Sequence, residues 1–243
     1  TINGLLNLLL ITSLYYLFAR LGLTWFSFPP GNVNLLSLSS GVGLLMCLLW
    51  GVRAFPFIVI AAFAAHFPLI VETTWHNNTL YVSVNSLIMG AESVLGMMLM
   101  RRFLPYGVSR PHHLLKFLLL LCVLVPALSA LFLGINLLLS GYVEAEKFKD
   151  FYITLLIAHA LGILLIYQVF TSFAHSPAVQ FSELKKLWSG GAIIGLIVIL
   201  ASNVYGPLIF LLLPVMVMMA IYLKLVFFTL FSSLCFVIVI SIL

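Results

Sequence analysis

Charged residues are scarce in this sequence, and their scarcity sets the class of protein. Of the 243 residues, 7% are charged and 64% are hydrophobic, whereas a soluble domain is usually about 25% charged. So few charges suffice only where the surface faces an apolar solvent, so the composition predicts an integral membrane protein. The apolar runs are long and do not alternate in ten-residue segments, which excludes an outer-membrane barrel and favours helices.

Paired cysteines and catalytic motifs are also lacking. Cys47, Cys122 and Cys235 lie within apolar runs and form neither a paired framework nor a CxxC motif. The sequence has no glycine-rich phosphate loop, no HExxH, no GxSxG and no soluble stretch long enough for a catalytic domain. We therefore expect no enzyme activity from these residues. The net charge of +5 comes from basic residues at helix ends, which indicates positive-inside bias rather than a nucleic-acid partner.

The long apolar runs predict an all-α, polytopic transmembrane helical bundle of about 8–10 spans, because a crossing helix needs about 20 apolar residues. The nine spans read from the sequence are residues 2–19, 34–50, 56–71, 80–103, 114–140, 151–172, 188–202, 207–222 and 226–243. Basic residues between Arg101 and Lys116 give the strongest cytoplasmic signal, so we expect a cytoplasmic N-terminus. Residues 1–243 then form a single transmembrane domain, and we expect the natural protein to continue beyond both Thr1 and Leu243.

Polar residues inside these spans are the candidate functional residues: His66, Asn85, Glu92 and His159. A charge at mid-depth costs about 2.5–3.5 kcal/mol even on the mildest scale, so Glu92 needs a partner, water or a proton. Asn85 precedes Glu92 by about two helical turns and shares its face. At about 1.5 Å per residue, the two histidines lie at about the same depth and Glu92 at most one turn deeper. If their helices are neighbours, they form one polar cluster.

Three interpretations of these residues stay open at the level of sequence. Each polar group can be satisfied by a serine or a backbone carbonyl and serve only to pack helices. They can form a ligand-sensing or proton-sensing cluster, since ionisable residues inside a membrane are functional candidates by default. His66 and His159 can also ligate haem iron or another metal, although two histidines without a spacing motif imply no cofactor strongly.

Three stretches together resemble the bacterial membrane-associated sensor family known as MASE, type one. The first stretch combines a small-residue helix, a glycine-arginine turn and an aromatic-proline pair. The second is a helix with Asn, Glu and Gly that ends in basic residues. The third contains a glycine-leucine run. They are SLSSGVGLLMCLLWGVRAFPFIVIAAFAAHF, NSLIMGAESVLGMMLMRRFLP and LIAHALGILLIYQVF. Their order and spacing agree with the family over about residues 20–240.

The resemblance also concerns the candidate site. Glu92 matches the family, whereas His66 stands where the family often has Asn, and His159 stands where it often has Asp or Glu. The three ionisable residues therefore coincide with the family's polar positions. This coincidence favours a single cluster, and the two imidazoles put an inherited ligand in question.

What the resemblance implies is a sensory input module in the bacterial inner membrane, with the lipid bilayer and an unknown small-molecule or membrane ligand as its partners. Members of the family precede cytoplasmic effectors such as GGDEF diguanylate cyclases, sometimes with EAL domains, or histidine kinases. Any enzyme activity would then belong to that effector, through which we expect a homodimer. The alternatives are a small-molecule transporter, against which no inverted repeat is found, and a haem- or metal-binding membrane subunit.

Overall fold

The computed structural model describes residues 2–25, 27–28, 33–34, 36–71, 78–108 and 111–175, together with residues 192–193, 196–197, 229 and 232–233. Within these ranges the chain is helical apart from one antiparallel pair of two-residue strands, β1 (Ser27–Phe28) and β2 (Val33–Asn34). The helices are α1 (Ile2–Trp25), α2 (Leu38–Trp50), α3 (Phe55–Val71), α4 (Asn78–Phe103), α5 (Pro111–Phe117), α6 (Val125–Leu139) and α7 (Phe148–His175). A segment of π-helix, Leu118–Leu124, joins α5 to α6.

The chain divides into two compact units, residues 1–166 and residues 167–243. In the first, apolar side chains from α1, α2, α3, α4, α6 and α7 form a common core. In the second, the last turns of α7 satisfy their polar side chains locally, since Thr171 and Ser172 donate hydrogen bonds to the Gln168 carbonyl. Such bonds within a helix allow hydroxyl groups to occupy an apolar environment.

Four stretches in the described part of the chain are long and apolar enough to cross a membrane. They are Leu38–Pro68, Thr79–Phe103, His112–Leu139 and Ala145–Ala174, and α1 contains a shorter apolar stretch, Leu8–Thr24. The first of the four includes the turn Gly51–Ala54 and therefore holds two helices, α2 and α3. These lengths support the predicted helical membrane bundle.

The nine-span count and the cytoplasmic N-terminus are not supported by these stretches. The spans predicted at 188–202, 207–222 and 226–243 lie outside the described residues apart from a few isolated positions. Two predicted boundaries were wrong. The first helix continues to Trp25 instead of ending near residue 19, and the helix predicted from residue 151 begins at Phe148, directly after a turn of 3-10 helix at Ala145–Lys147.

The turn between α2 and α3 is specified by glycine and by a neighbouring arginine. Gly51 adopts a φ of 69°, which an L-residue with a side chain rarely adopts, and so ends α2. One turn earlier, the Leu48 carbonyl accepts a hydrogen bond of 3.1 Å from the Arg101 guanidinium at the end of α4. The α2–α3 turn and the C-terminal end of α4 therefore lie at the same end of the bundle.

The start of α2 is buried against α7. Leu36 and Ser37 are non-helical and 0% and 2% exposed, and the Ser37 amide donates a 3.1 Å hydrogen bond to the Ala158 carbonyl. Non-helical backbone at membrane depth is tolerated only where protein satisfies it in this way. Gly162 makes the approach feasible, because a Cβ at this position would overlap the Ser37 carbonyl. This contact fixes the height of His159, the residue after Ala158, relative to α2.

We predict that Gly162→Ala lowers the stability of the folded protein by about 1–3 kcal/mol, because the new methyl group meets backbone that cannot move aside. Thermal unfolding in detergent micelles or bicelles measures the loss. Ala64→Val is the matched control, because it adds methyl groups at an exposed position of α3 and should leave stability nearly unchanged. Equal stability of Gly162→Ala and the unmodified protein would contradict the close approach of α2 to α7.

Candidate functional site

Three helices meet at the carboxylate of Glu92, near the middle of α4. Nδ1 of His159 on α7 lies 2.9 Å from Oε1 and 2.8 Å from Oε2, and the Ser129 hydroxyl on α6 donates to Oε2 over 2.8 Å. The exposed fractions of Glu92, His159 and Ser129 are 5%, 3% and 4%. An ionisable pair is therefore enclosed by apolar helices and shares its hydrogen bonds among α4, α6 and α7. We call these three residues the carboxylate–imidazole cluster.

A second polar layer lies two helical turns away, on the same interface between α4 and α6. Asn136 donates through Nδ2 to Asn85 Oδ1 over 2.7 Å and to the Tyr81 carbonyl over 2.9 Å. Asn85 and Glu92 are seven residues apart on α4, as are Ser129 and Asn136 on α6. Antiparallel helices with this spacing bring both pairs into register. The two layers therefore fix the register of α6 against α4, which sets Ser129 opposite Glu92.

On its other side, Glu92 is approached by α1 and α2. Tyr15 is 1% exposed, and its side chain lies beside Ser39 and within electrostatic range of Glu92. The Tyr15 ring also lies against Gly43, where a Cβ would be 3.2 Å from a ring carbon and would overlap the Ser93 hydroxyl. The absence of a side chain at Gly43 thus allows the Tyr15 ring and the Ser93 hydroxyl to pack against α2.

His66 is placed differently from the prediction of one shared pocket. Its Nδ1 is 2.8 Å from the Ala62 carbonyl of its own helix, α3, and it makes no hydrogen bond to Glu92 or His159 among the described residues. It lies near enough to His159 and to Arg20 for their charges to act on it. Arg20 itself donates to the Ala65 carbonyl over 3.3 Å. His66 is therefore a neighbour of the cluster and is satisfied locally.

The four residues predicted from the sequence thus separate into three places. Glu92 and His159 form the directly bonded pair, Asn85 belongs to the second polar layer, and His66 lies beside His159 without bonding to it. Their functional role stays a prediction. The described part of the chain contains no group of three His, Cys, Asp or Glu side chains placed to hold a metal ion, and a metal site at His66 and His159 stays a prediction.

Sequence reasoning missed four polar residues that complete the site: Ser129, Asn136, Tyr15 and Ser39. Ser129 and Asn136 carried a usable signal, because they repeat on α6 the seven-residue spacing of Asn85 and Glu92 on α4. Two equal spacings on successive apolar helices indicate that their polar residues face one another. Tyr15 carried no such signal, since a tyrosine in an apolar helix is more often a core or interface residue.

The helices and the buried cluster define the class of protein as a helical membrane protein with an internal ionisable site. The family follows from comparison with known proteins. The family MASE1 matches residues 6–243, so the chain belongs to this family of membrane-associated sensory domains, as the resemblance predicted. MASE1 domains are sensory input domains rather than catalysts. No curated protein and no solved structure matches the chain.

The energetic coupling within the cluster is testable by a double-mutant cycle. We predict that Glu92→Leu and His159→Leu each lower stability by about 3–5 kcal/mol, because each leaves the other partner buried and unpaired. The double variant should be more stable than either single variant, since it removes both polar groups from an apolar environment. Equilibrium unfolding in bicelles measures all four proteins.

The control cycle for this prediction uses an exposed ion pair at the start of the Ala145–Ala174 stretch. Lys147 Nζ lies 2.7 Å from Glu144 Oε2, and the hydrogen bond and charge of Lys147 lower the pKa of the Glu144 carboxyl. Because this pair is exposed, its coupling should be close to zero. Additive losses at Glu92 and His159, as in the control cycle, would contradict the buried contact.

Proposed function

We propose that this chain is the sensory input domain of a bacterial signalling protein in the inner membrane. In this proposal it crosses the membrane several times, with nine spans and a cytoplasmic N-terminus. It relays a small-molecule or membrane signal to a cytoplasmic effector, a GGDEF diguanylate cyclase or a histidine kinase, which acts as a homodimer. Membership of the MASE1 family supports the sensory role. The orientation is supported by basic residues at the end shared by the α2–α3 turn and α4, namely Arg53, Arg101 and Arg102.

The single observation that carries the proposal is the buried contact between Glu92 and His159. A buried ionisable pair is poor evidence for stability, because apolar residues of similar volume often stabilise as well or better. Inside a membrane such a pair is a functional candidate by default. Its hydrogen bonds join α4, α6 and α7, so a change in protonation or hydrogen bonding at this point alters how three helices pack. A stimulus shifts that packing by its difference in affinity for the two arrangements.

A π segment, Leu118–Leu124, lies between α5 and the part of α6 that carries Ser129. There the Val125 amide bonds to the Leu120 carbonyl, five residues earlier, and Pro126 supplies no N–H to the following turn. A π turn holds about one residue more than an α turn and often occurs at functional sites. Converting it to an α turn would rotate α5 relative to Ser129 by about 100°. We infer that this π segment transmits movement at Glu92 to α5.

The site assignment is tested by the output of the full-length protein. We expect Glu92→Gln and His159→Ala to change basal output or to abolish the response to stimulus, because the first removes the charge and proton of the carboxyl group and the second removes the imidazole that bonds α7 to α4. His66→Ala should have a smaller effect, since His66 is bonded within its own helix. Cyclic diguanylate synthesis or autophosphorylation, according to the effector, gives the readout. Glu144→Gln, the same chemical change in an exposed loop, is the control. Output and response unchanged in both Glu92→Gln and His159→Ala would remove the site assignment.

The π segment is tested by shortening it. We expect deletion of Leu119, an exposed residue of the segment, to restore α-helical hydrogen bonding and to fix the output in one state. The Glu92–Ser129 pair should persist, because the deletion leaves Ser129 and Asn136 in register with α4. Leu119→Ala is the control, because it shortens the side chain and keeps the π turn. A deletion variant that responds to stimulus like the unmodified protein would contradict the inference that the π segment transmits movement to α5.

A further inference from the structure

Three exposed arginines lie at the end of the bundle that α4 shares with the α2–α3 turn. Arg53 is in the turn itself, and Arg101 and Arg102 are in the last helical turn of α4. The Arg101 guanidinium donates to the Leu48 carbonyl, and a Cβ at Gly51 would be 4.0 Å from Arg101 Nη1. Because Gly51 and Arg53 belong to the same 3-10 turn, Arg53 and Arg101 are near one another at this end.

Lys116 of α5 lies at about the same level as these arginines. A Cβ at Gly96 on α4 would be 3.4 Å from a methyl carbon of Leu121. Lys116 precedes Leu121 by five residues, and Arg101 follows Gly96 by five residues. Since the two helical segments run antiparallel, Lys116 and Arg101 are at similar levels, and Lys116 is exposed as well. We call the four basic residues the basic end: Arg53, Arg101, Arg102 and Lys116.

The described part of the chain places no acidic side chain at the basic end. Before residue 144 the sequence contains two acids, Glu72 and Glu92. The 17 residues of α3 separate Arg53 from Glu72, which is about 25 Å of helix. Glu92 precedes Arg101 by nine residues, about 13 Å along α4, and its carboxylate is bonded within the cluster. The acids between residues 144 and 150 follow the opposite end of α6.

The length of α4 places the basic end among lipid headgroups. Its 26 residues extend over about 39 Å, whereas the hydrocarbon core of a bilayer is about 30 Å thick. The ends of this helix therefore project beyond the hydrocarbon. Exposed aromatic side chains agree with this depth, because Phe103 is 45% exposed and Tyr106 is 90% exposed, and tyrosine is enriched where the bilayer meets water.

The backbone that carries these side chains is ordered by contacts of its own. Leu104 is 3% exposed, and its carbonyl accepts a 2.9 Å hydrogen bond from the Gly107 amide, where φ is 69°. Arg102 Cζ lies 5.7 Å from the centre of the Phe103 ring. A ligand that binds here therefore has less backbone to order, which lowers the entropic cost of binding.

We propose that the basic end binds the phosphate headgroup of an anionic phospholipid, which bridges the α2–α3 turn, α4 and α5. Charge complementarity selects this occupant, because anionic lipids supply negative charge at the depth of these side chains, and each nearby Lys or Arg adds to the attraction. A guanidinium can bind a phosphate through two parallel hydrogen bonds, and a lysine adds a point charge. The proposal goes beyond the sensory role, since it requires only that the chain is in a membrane.

The first test compares two lipids with the same acyl chains. Purified protein in detergent is titrated with dioleoyl-phosphatidylglycerol, which is anionic, and with dioleoyl-phosphatidylcholine, which carries no net charge. Native mass spectrometry counts the bound molecules. We expect phosphatidylglycerol to bind about tenfold more tightly or better, and its advantage to shrink as the ionic strength rises from about 0.1 M to about 0.5 M. Equal binding of the two lipids would overturn the proposal.

The second test removes two charges from the basic end. The double variant Arg102→Gln with Lys116→Gln should bind phosphatidylglycerol about 25-fold more weakly, about fivefold for each charge. Arg101 is retained, because its bond to the α2 backbone has a structural role. The matched control is Lys147→Gln with Lys149→Gln, which removes two exposed basic residues at the opposite end of α6 and should change binding less than about twofold.

Unchanged affinity in the basic-end variant would overturn the lipid site and leave an acidic protein segment as the occupant of this surface. Equal weakening in the control variant would also overturn it, because affinity would then follow the net charge of the protein. Thermal unfolding in the same detergent verifies that each variant is folded. If the double variant does not fold, Arg102→Gln and Lys116→Gln are measured singly, and each should lose about fivefold.

Discussion

The contact among α4, α6 and α7 centres on one carboxylate that has to be accommodated away from water. Glu92 lies in the middle of an apolar helix, where an isolated charge is costly. The imidazole of His159 and the hydroxyl of Ser129, from two other helices, form hydrogen bonds with its carboxylate. Those bonds give three helices a common point of contact. The same bonds make the contact adjustable, because a protonation or a ligand changes their number and strength. Stability alone does not require such an arrangement, since an apolar core of equal volume serves as well.

The surrounding helices are arranged so that this contact can form. Asn85 and Asn136 hold α4 and α6 in register two turns away from Glu92, and Gly162 allows α7 to approach the start of α2. Because the Ser37 amide bonds to the Ala158 carbonyl, the height of His159 is set by backbone rather than by the ion pair. The backbone contact between the start of α2 and α7 is therefore separate from the side-chain pair. The proposed sensing role needs this separation, because the bonds of the pair can then change while the helices stay packed.

The sequence predicted the class of the fold and the two residues at the centre of the site, and the reasons are physical. Few charges and long apolar runs are compatible with helices in a membrane and with few other folds. The helical rise of about 1.5 Å per residue placed Glu92 and His159 at similar depths. Depth says nothing about the direction in which a side chain leaves its helix, so His66 was expected in the same pocket and instead bonds to its own helix. Ser129 was missed because a serine in an apolar helix is usually satisfied by its own backbone, and the π segment has no signature in composition.

The hydrogen bond between Glu92 and His159 within the bilayer can be measured through the distance between the two side chains. Solid-state NMR with carbon-labelled glutamate and nitrogen-labelled histidine, in protein reconstituted into lipid, reports the dipolar coupling between the Glu92 carboxyl carbon and His159 Nδ1. We expect a strong coupling, of the size given by directly hydrogen-bonded groups, that disappears in Glu92→Gln samples labelled in the same way. No coupling between the two side chains in the unmodified protein would contradict it.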